Sequence, residues 1–265
     1  GAWRWPCFAL VVIYFTIALI LPLGAIIITS LLPYPGAPLR DFSLMNFERI
    51  FSTRIFQVSV INTLIISSIG ATVTVCVGML AAYMFRRLRP PGAAIWDVIA
   101  SAPIALPGIV IGLGYLWIAV GSPVYGTLLL TTAVVVVRFV PFALRSGTAA
   151  LTRIDHSLDE AARIAGATER RVFSSVIMPN IRGPIISMWG LLFVLFSHEV
   201  DTNVLLQGTG NTVLVVQIYG WYEYGGLDLA SAGSVMLLLL TAAVFMVMAA
   251  VIAGQGLVAR KRRQQ

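Results

Sequence analysis

The chain has 265 residues, 58% of them hydrophobic and only 11% charged, with a mean hydropathy of +0.91. Soluble domains carry about 25% charged residues, so a water-soluble fold could not hide this much apolar surface, and the composition specifies a polytopic membrane protein. The formal charge of +7 is spread over the ends of apolar segments, not gathered with aromatic residues into a recognition module, and this excludes nucleic acid as a partner.

Six stretches, near 6–32, 58–84, 95–120, 126–147, 184–207 and 229–256, are long enough to cross about 30 Å of hydrocarbon at about 1.5 Å per residue. They are too continuously apolar for the alternation of a membrane barrel, and backbone groups must be satisfied within lipid, so they are predicted helices. The first follows Arg4, is longer than the apolar region of a signal peptide and has no clear small-residue cleavage site, so it is expected to be retained. Residues 33–57 begin with Pro33, Pro35 and Pro38 and continue through Asn46-Phe47-Glu48-Arg49-Ile50-Phe51, which predicts a short amphipathic helix on the outer surface. The third stretch holds Pro103, Pro107, Gly108, Gly112 and Gly114; close helix packing and a gating hinge both fit this composition. Residues 208–228 read as a Gly- and aromatic-rich loop containing Tyr219, Trp221, Tyr222 and Tyr224. It is either a set of interfacial rings or a docking rim for a delivery protein. Cys7 and Cys76 lie in apolar segments without neighbours at metal spacing and are expected as small buried hydrophobes. With only two histidines, no multi-His metal site is expected.

Basic residues predict the orientation. Thirteen Lys or Arg side chains (Arg4, Arg86, Arg87, Arg89, Arg153, Arg163, Arg170, Arg171, Arg182 and the tail Arg260-Lys261-Arg262-Arg263) fall on one side of these spans, and three (Arg40, Arg49, Arg54) on the other. That bias puts both termini in the cytoplasm. The remaining two, Arg138 and Arg145, fall within the fourth stretch, seven residues apart on one face.

The fifth stretch carries Ser197, His198, Glu199, Val200, Asp201, Thr202 and Asn203. Ionisable groups in a membrane segment cost roughly 2.5–3.5 kcal/mol each on insertion scales and normally face a pathway or a partner. If the helix is continuous, Glu199 and Asn203 share one face, and His198, Asp201 and Thr202 another. By depth, Arg138 is placed to pair with Glu199 or Asp201. Two readings stay open: a structural ion-pair network between helices, or a polar part of a translocation path or gate formed by Arg138, His198, Glu199, Asp201 and Asn203.

Between the fourth and fifth stretches lies Asp159-Glu160-Ala161-Ala162-Arg163-Ile164-Ala165-Gly166, followed by Val176, Met178 and Pro179. This segment is charged and helix-prone among apolar neighbours. Acidic residues near its start suit the helix dipole, the two alanines let it lie flat, and Gly166 permits a turn after it. Pro179 is expected to start the next element. There is no GxxxxGK[ST] phosphate loop, so the chain is not expected to bind ATP or act as an enzyme by itself.

Glu160, Ala161, Ala162, Gly166, Val176, Met178 and Pro179 resemble the EAA loop of the permeases of ATP-binding-cassette importers, with Met178 standing where the family usually has Leu. Other pieces are similar to the ferric-iron branch of that family: Ala105-Leu106-Pro107-Gly108-Ile109-Val110, the run from Val137 to Arg145, Ile154-Asp155 with Ser157-Leu158, Glu199, and Ile218-Tyr219 with Tyr222-Glu223-Tyr224-Gly225. His198 departs from that branch, which often carries Arg there. The resemblance implies an all-α membrane fold of type I: six transmembrane helices with a cytoplasmic coupling helix. It divides the chain into an N-terminal helix and external loop at 1–57, a permease core at 58–256 with the coupling loop at 157–180, and a basic cytoplasmic tail at 257–265. Asp159, Glu160, Ala161, Ala162, Gly166, Val176, Met178 and Pro179 would form the ATPase-coupling site. The implied partners are an ATP-binding-cassette ATPase dimer that holds ATP and Mg, a second permease unit, an external solute-binding protein and membrane lipid. The chain itself would bind no cofactor and no metal. The implied location is the bacterial inner membrane. A start at Gly1 and six helices suit a separate subunit or half of a longer chain. Ferric iron leads the solutes, with thiamine, polyamine and phosphonate as alternatives; outside this class stand a secondary transporter, a channel and an intramembrane enzyme.

Overall fold

The structure is a computed structural model that describes residues 3–263, with the side chains of residue 156 and of 251–263 outside the described set. The expected basic tail at 257–265 therefore lies beyond the described side chains. Among the described residues there are helices and no strands. Five helices are long and apolar enough to cross a membrane, or six if one bent pair is a single span. The chain divides into two compact units, residues 1–60 with 213–240 and residues 61–212 with 241–265.

In the first unit, α1 (Arg4–Leu31) is apolar on every side and buries none of its apolar window within the chain. Its last carbonyls are met by the buried Asn46 amide, which donates to Ser30 (3.1 Å) and Leu32 (2.7 Å). Asn46 belongs to α2 (Met45–Ser52), the short amphipathic helix expected after the proline cluster. Residues 208–228 are not the loop read from the sequence. They contain α10 (Leu214–Glu223), because Leu214, Ile218 and Trp221 recur at helical spacing and pack with Ile50, Phe56, Ala232 and Leu237 into one apolar core. α11 (Leu227–Arg263) begins here and continues into the second unit.

The second unit holds most of α3 (Arg54–Leu88), the bent pair α4 (Ala93–Ala105) and α5 (Gly108–Ala119), then α6 (Leu128–Thr152). They are followed by α7 (His156–Ile164), α8 (Glu169–Ser197) and α9 (Asp201–Leu206). The third predicted span is broken: α4 and α5 meet at 100°, where Pro107 lacks a donor and pushes Leu106 into an extended conformation. The fifth is displaced. It starts at Glu169, fifteen residues before the predicted edge, and ends at Ser197.

Helices in lipid gain little from apolar burial against one another, so close backbone approach matters. Gly78 lies against the Ala143 and Leu144 backbone, Gly147 against Met79 and Ala82, and Gly70 against the Phe196 ring. Thr72 accepts a hydrogen bond from the Trp189 indole at 2.9 Å. Cys7 and Cys76, expected as buried, are both exposed on the chain, since apolar positions in a membrane helix do not need to turn inward.

Three π turns occur among the described residues, at Thr16–Ile20, Met84–Leu88 and Phe173–Ile177. Each ends two residues before a proline: Pro22, Pro90 and Pro179. A proline supplies no N–H and its ring crowds the carbonyl four residues back; a locally widened turn relieves that conflict. Pro179 stands in the first turn of the α-helical stretch Met178–Ser197, as expected, but that stretch follows the π turn without a break and so continues α8, with the Asn180 amide donating to the Val176 carbonyl at 2.7 Å.

Candidate functional site

The EAA-like segment folds as α7. The Asp155 carboxylate caps it by accepting from the Ser157 N–H at 3.0 Å. At the other end Gly166 adopts φ +81°. Its N–H donates to the Arg163 carbonyl at 2.9 Å, and the Ala167 N–H to the Ala162 carbonyl at 3.0 Å, a Schellman closure. A Cβ on Gly166 would meet nothing within 4 Å, so glycine is needed there for conformation and not for room.

The inner face of α7 is held by charge. Asp159 pairs with Arg87 at 2.9 Å, the two side chains being 1% and 2% exposed. Arg87 also donates to the carbonyls of Leu151 (3.0 Å) and Ile154 (2.8 Å) just where α6 ends. In the last turn of the helix, Arg163 donates twice to Glu169 (2.7 and 3.1 Å), and the Tyr83 hydroxyl donates to the same carboxylate at 3.0 Å. That hydrogen-bonded carboxylate holds the Arg163 guanidinium above its ordinary range. The outer face is open. Glu160, Ala161 and Ala165 are exposed with Leu158 and Ile164, and Ile164 is 88% exposed. Ala162 is half-buried beneath them. Val176, half-buried, and Met178 and Pro179, exposed, lie on α8.

The second cluster is built around Arg138 on α6. Its guanidinium bonds Glu199, reaches the Thr202 hydroxyl at 3.3 Å and lies 3.6 Å from Asp201. Glu199 sits in the irregular break between α8 and α9, so the helical faces expected for 198–203 do not exist. Because the break frees backbone groups, Glu199 also accepts from the Thr202 N–H at 3.1 Å, and the Asn203 amide donates to the Glu199 carbonyl at 2.6 Å. Thr202 in turn donates to the Gly108 carbonyl at 3.4 Å, at the α4–α5 bend. Glu199 and Asn203 are buried, whereas Asp201 is 58% exposed. His198 turns away from Arg138; its Nδ1 lies 3.0 Å from the Val194 carbonyl and 3.1 Å from the Ser197 hydroxyl. Arg145 contacts Asp97 at 3.2 Å and the Ser101 hydroxyl, both on α4. The two arginines of α6 therefore hold the two arms of the bent pair.

Sequence reasoning missed Arg87, Tyr83, Glu169, Asp97 and Ser101 as members of these clusters. Within Arg86-Arg87-Arg89 nothing local marks the one that is buried. The usable signal was the four-residue spacing of Tyr83 and Arg87, which puts both on one face of α3.

Residues 74–264 match the family described as the binding-protein-dependent transport system inner membrane component. The chain belongs to that family. It is 28% identical over 187 residues to the ferric transport system permease protein FbpB of Actinobacillus pleuropneumoniae, a match covering 69% of this chain and 27% of the relative. It is 27% identical to the putrescine transport system permease protein PotI of Escherichia coli K12, covering 62% of this chain and 60% of PotI. It is also 26% identical to the probable sulfate transport system permease protein cysT of Nephroselmis olivacea, covering 90% and 85%. The chain spans about a quarter of the length of the ferric relatives it matches. The fold is similar to a chain in the crystal structure of a bacterial alginate ABC transporter in complex with an alginate pentasaccharide-bound periplasmic protein, with a TM-score of 0.76, 17% identity and 92% of each chain covered.

Proposed function

We propose that this chain is a permease unit of an ATP-binding-cassette importer. It forms one half of a translocation path for a small solute delivered by an external binding protein, and a separate ATPase supplies the hydrolysis. The observation that carries this reading is α7: a short helix, fixed by buried charge on one face, whose other face leaves Leu158, Ala161, Ile164 and Ala165 exposed among the described residues. A helix so anchored and so exposed suits the groove of another subunit. Asp159 belongs to the anchor on this reading, and Glu160, Ala161, Ala162 and Gly166 to the docking surface and its shape. Val176, Met178 and Pro179, at the π turn of α8 and just after it, complete the coupling segment. Both termini lie on the α7 side of the membrane, which the distribution of basic residues supports. The division of the chain into 1–57, a permease core at 58–256 and a basic tail at 257–265 belongs to the same reading.

Ferric iron is the first solute to test, because the ferric permeases stand among the relatives; the putrescine and sulfate relatives define the next two. The Arg138, Glu199, Asp201 and Asn203 cluster serves as the polar gate beside the path, Asp201 being the acid open to it. The deciding experiment is Ile164→Asp in the protein that carries this chain. Loss of ATPase co-elution from a folded, membrane-inserted variant supports docking through α7; unchanged co-elution overturns it.

A further inference from the structure

Tyr83 and Arg87 lie one turn apart at the end of α3, and between them they hold both ends of the α7 segment. Arg87 takes Asp159 near the start, at 2.9 Å. Tyr83 takes Glu169, which holds Arg163 in the last turn. Tyr83 also meets Phe173 edge-on at 5.1 Å between ring centres, and Arg87 closes off the end of α6 through two carbonyls. By contrast, the covalent connection of α7 to α8 is soft: Gly166 ends α7, and beyond it comes the π turn Phe173–Ile177 in α8. Further along α3, rigid contacts continue through Gly78 and Gly147 to α6, and through Gly70 to Phe196, three residues before Glu199.

We propose that Arg87 and Tyr83 are positioning residues that make α7 and α3 move as one body, so that force on α7 enters the membrane through α3 and not through the chain's own connection to α8. This rests on the reading of α7 as the docking helix. A buried ion pair reinforced by two carbonyls resists separation, because pulling it apart leaves two uncompensated charges, whereas a glycine turn and a π turn yield.

The test uses the whole protein with its co-purifying ATPase, Cys7 and Cys76 replaced by Ser, and spin labels at Ser157→Cys on α7 and Val73→Cys on α3, about 20 Å along the helix from Arg87. Distances are measured without nucleotide and after trapping with ADP and vanadate. With Arg87 intact, the distribution stays narrow and unshifted on trapping. In the double variant Arg87→Met with Asp159→Asn, which removes both buried charges together, thermal stability is retained but the narrow distribution is lost on trapping. Recovery of both the stability and the narrow distribution would show the pair to be merely structural and overturn the inference. Absence of any ATPase from the unmodified protein would sink the docking reading, and this inference with it; a retained ATPase with an unchanged distance in the double variant would sink this inference alone.

Discussion

At Gly166 the requirement is a dihedral angle. An L-residue at φ +81° pays about 1 kcal/mol for the left-handed conformation, and the space around it is empty. Gly166→Ala should therefore loosen the end of α7 as much as a larger residue would, and Gly166→Asn should loosen it less. Amide exchange at 166 and 167, whose hydrogen bonds close the turn, should accelerate about fivefold in the alanine variant, the equivalent of that energy. Arg138 poses a problem of charge. Removing it alone, as Arg138→Met, leaves buried Glu199 uncompensated and should cost about 3 kcal/mol. Adding Glu199→Gln should return most of the stability. Thermal unfolding in detergent measures both, and equal losses in the single and double variants would contradict the pairing.

Elements in this protein are governed by where backbones touch. At Gly78 a Cβ would sit 2.8 Å from the Leu144 nitrogen and 2.9 Å from the Ala143 carbonyl carbon, atoms that cannot rotate away. Gly78→Ala should destabilise the α3–α6 contact by about 2 kcal/mol, in the range of overpacked cores. At Gly114, also helical, a Cβ meets nothing within 4 Å, so Gly114→Ala should be neutral or stabilising by about 0.5 kcal/mol. Thermal denaturation of the pair separates packing from helix propensity. The same scale shows why the sequence was readable in part. Six apolar stretches and the α7 helix were legible because hydropathy and capping are local. The α8–α9 break at 198–200 was not, because an apolar run leads into it and the network that holds it open joins Glu199 in the break to Arg138 on α6 and Thr202 on α9. The helix at 214–223 was hidden for a similar reason. Trp221 looks interfacial until Phe56 and the core around Ile50 are placed against it. Pro22 was read as part of one continuous span and Pro179 as the start of an element; in both places a π turn precedes the proline and the helix continues through it.

Over the molecule as a whole, two charged clusters lie in the same unit: Arg87 with Asp159 beside α7, and Arg138 with Glu199 at the bend between α4 and α5. Each spends the cost of a buried ion pair on holding a short helix in place. The sequence indicated the residues of the second cluster by depth, and of the first only the α7 half, because Arg87 reaches Asp159 across 72 positions of chain. What the clusters position is an exposed short helix and a helix break at buried Glu199, both in contact with α3. This is the layout expected of a unit that takes work from a partner and delivers it to a path. The most direct measurement is purification of the protein carrying this chain in mild detergent, with every co-eluting subunit identified by mass spectrometry. The prediction is a stoichiometric subunit bearing a Walker-type phosphate loop. Solute uptake driven by an ion gradient, with no such subunit present under conditions that preserve membrane complexes, would contradict the assignment.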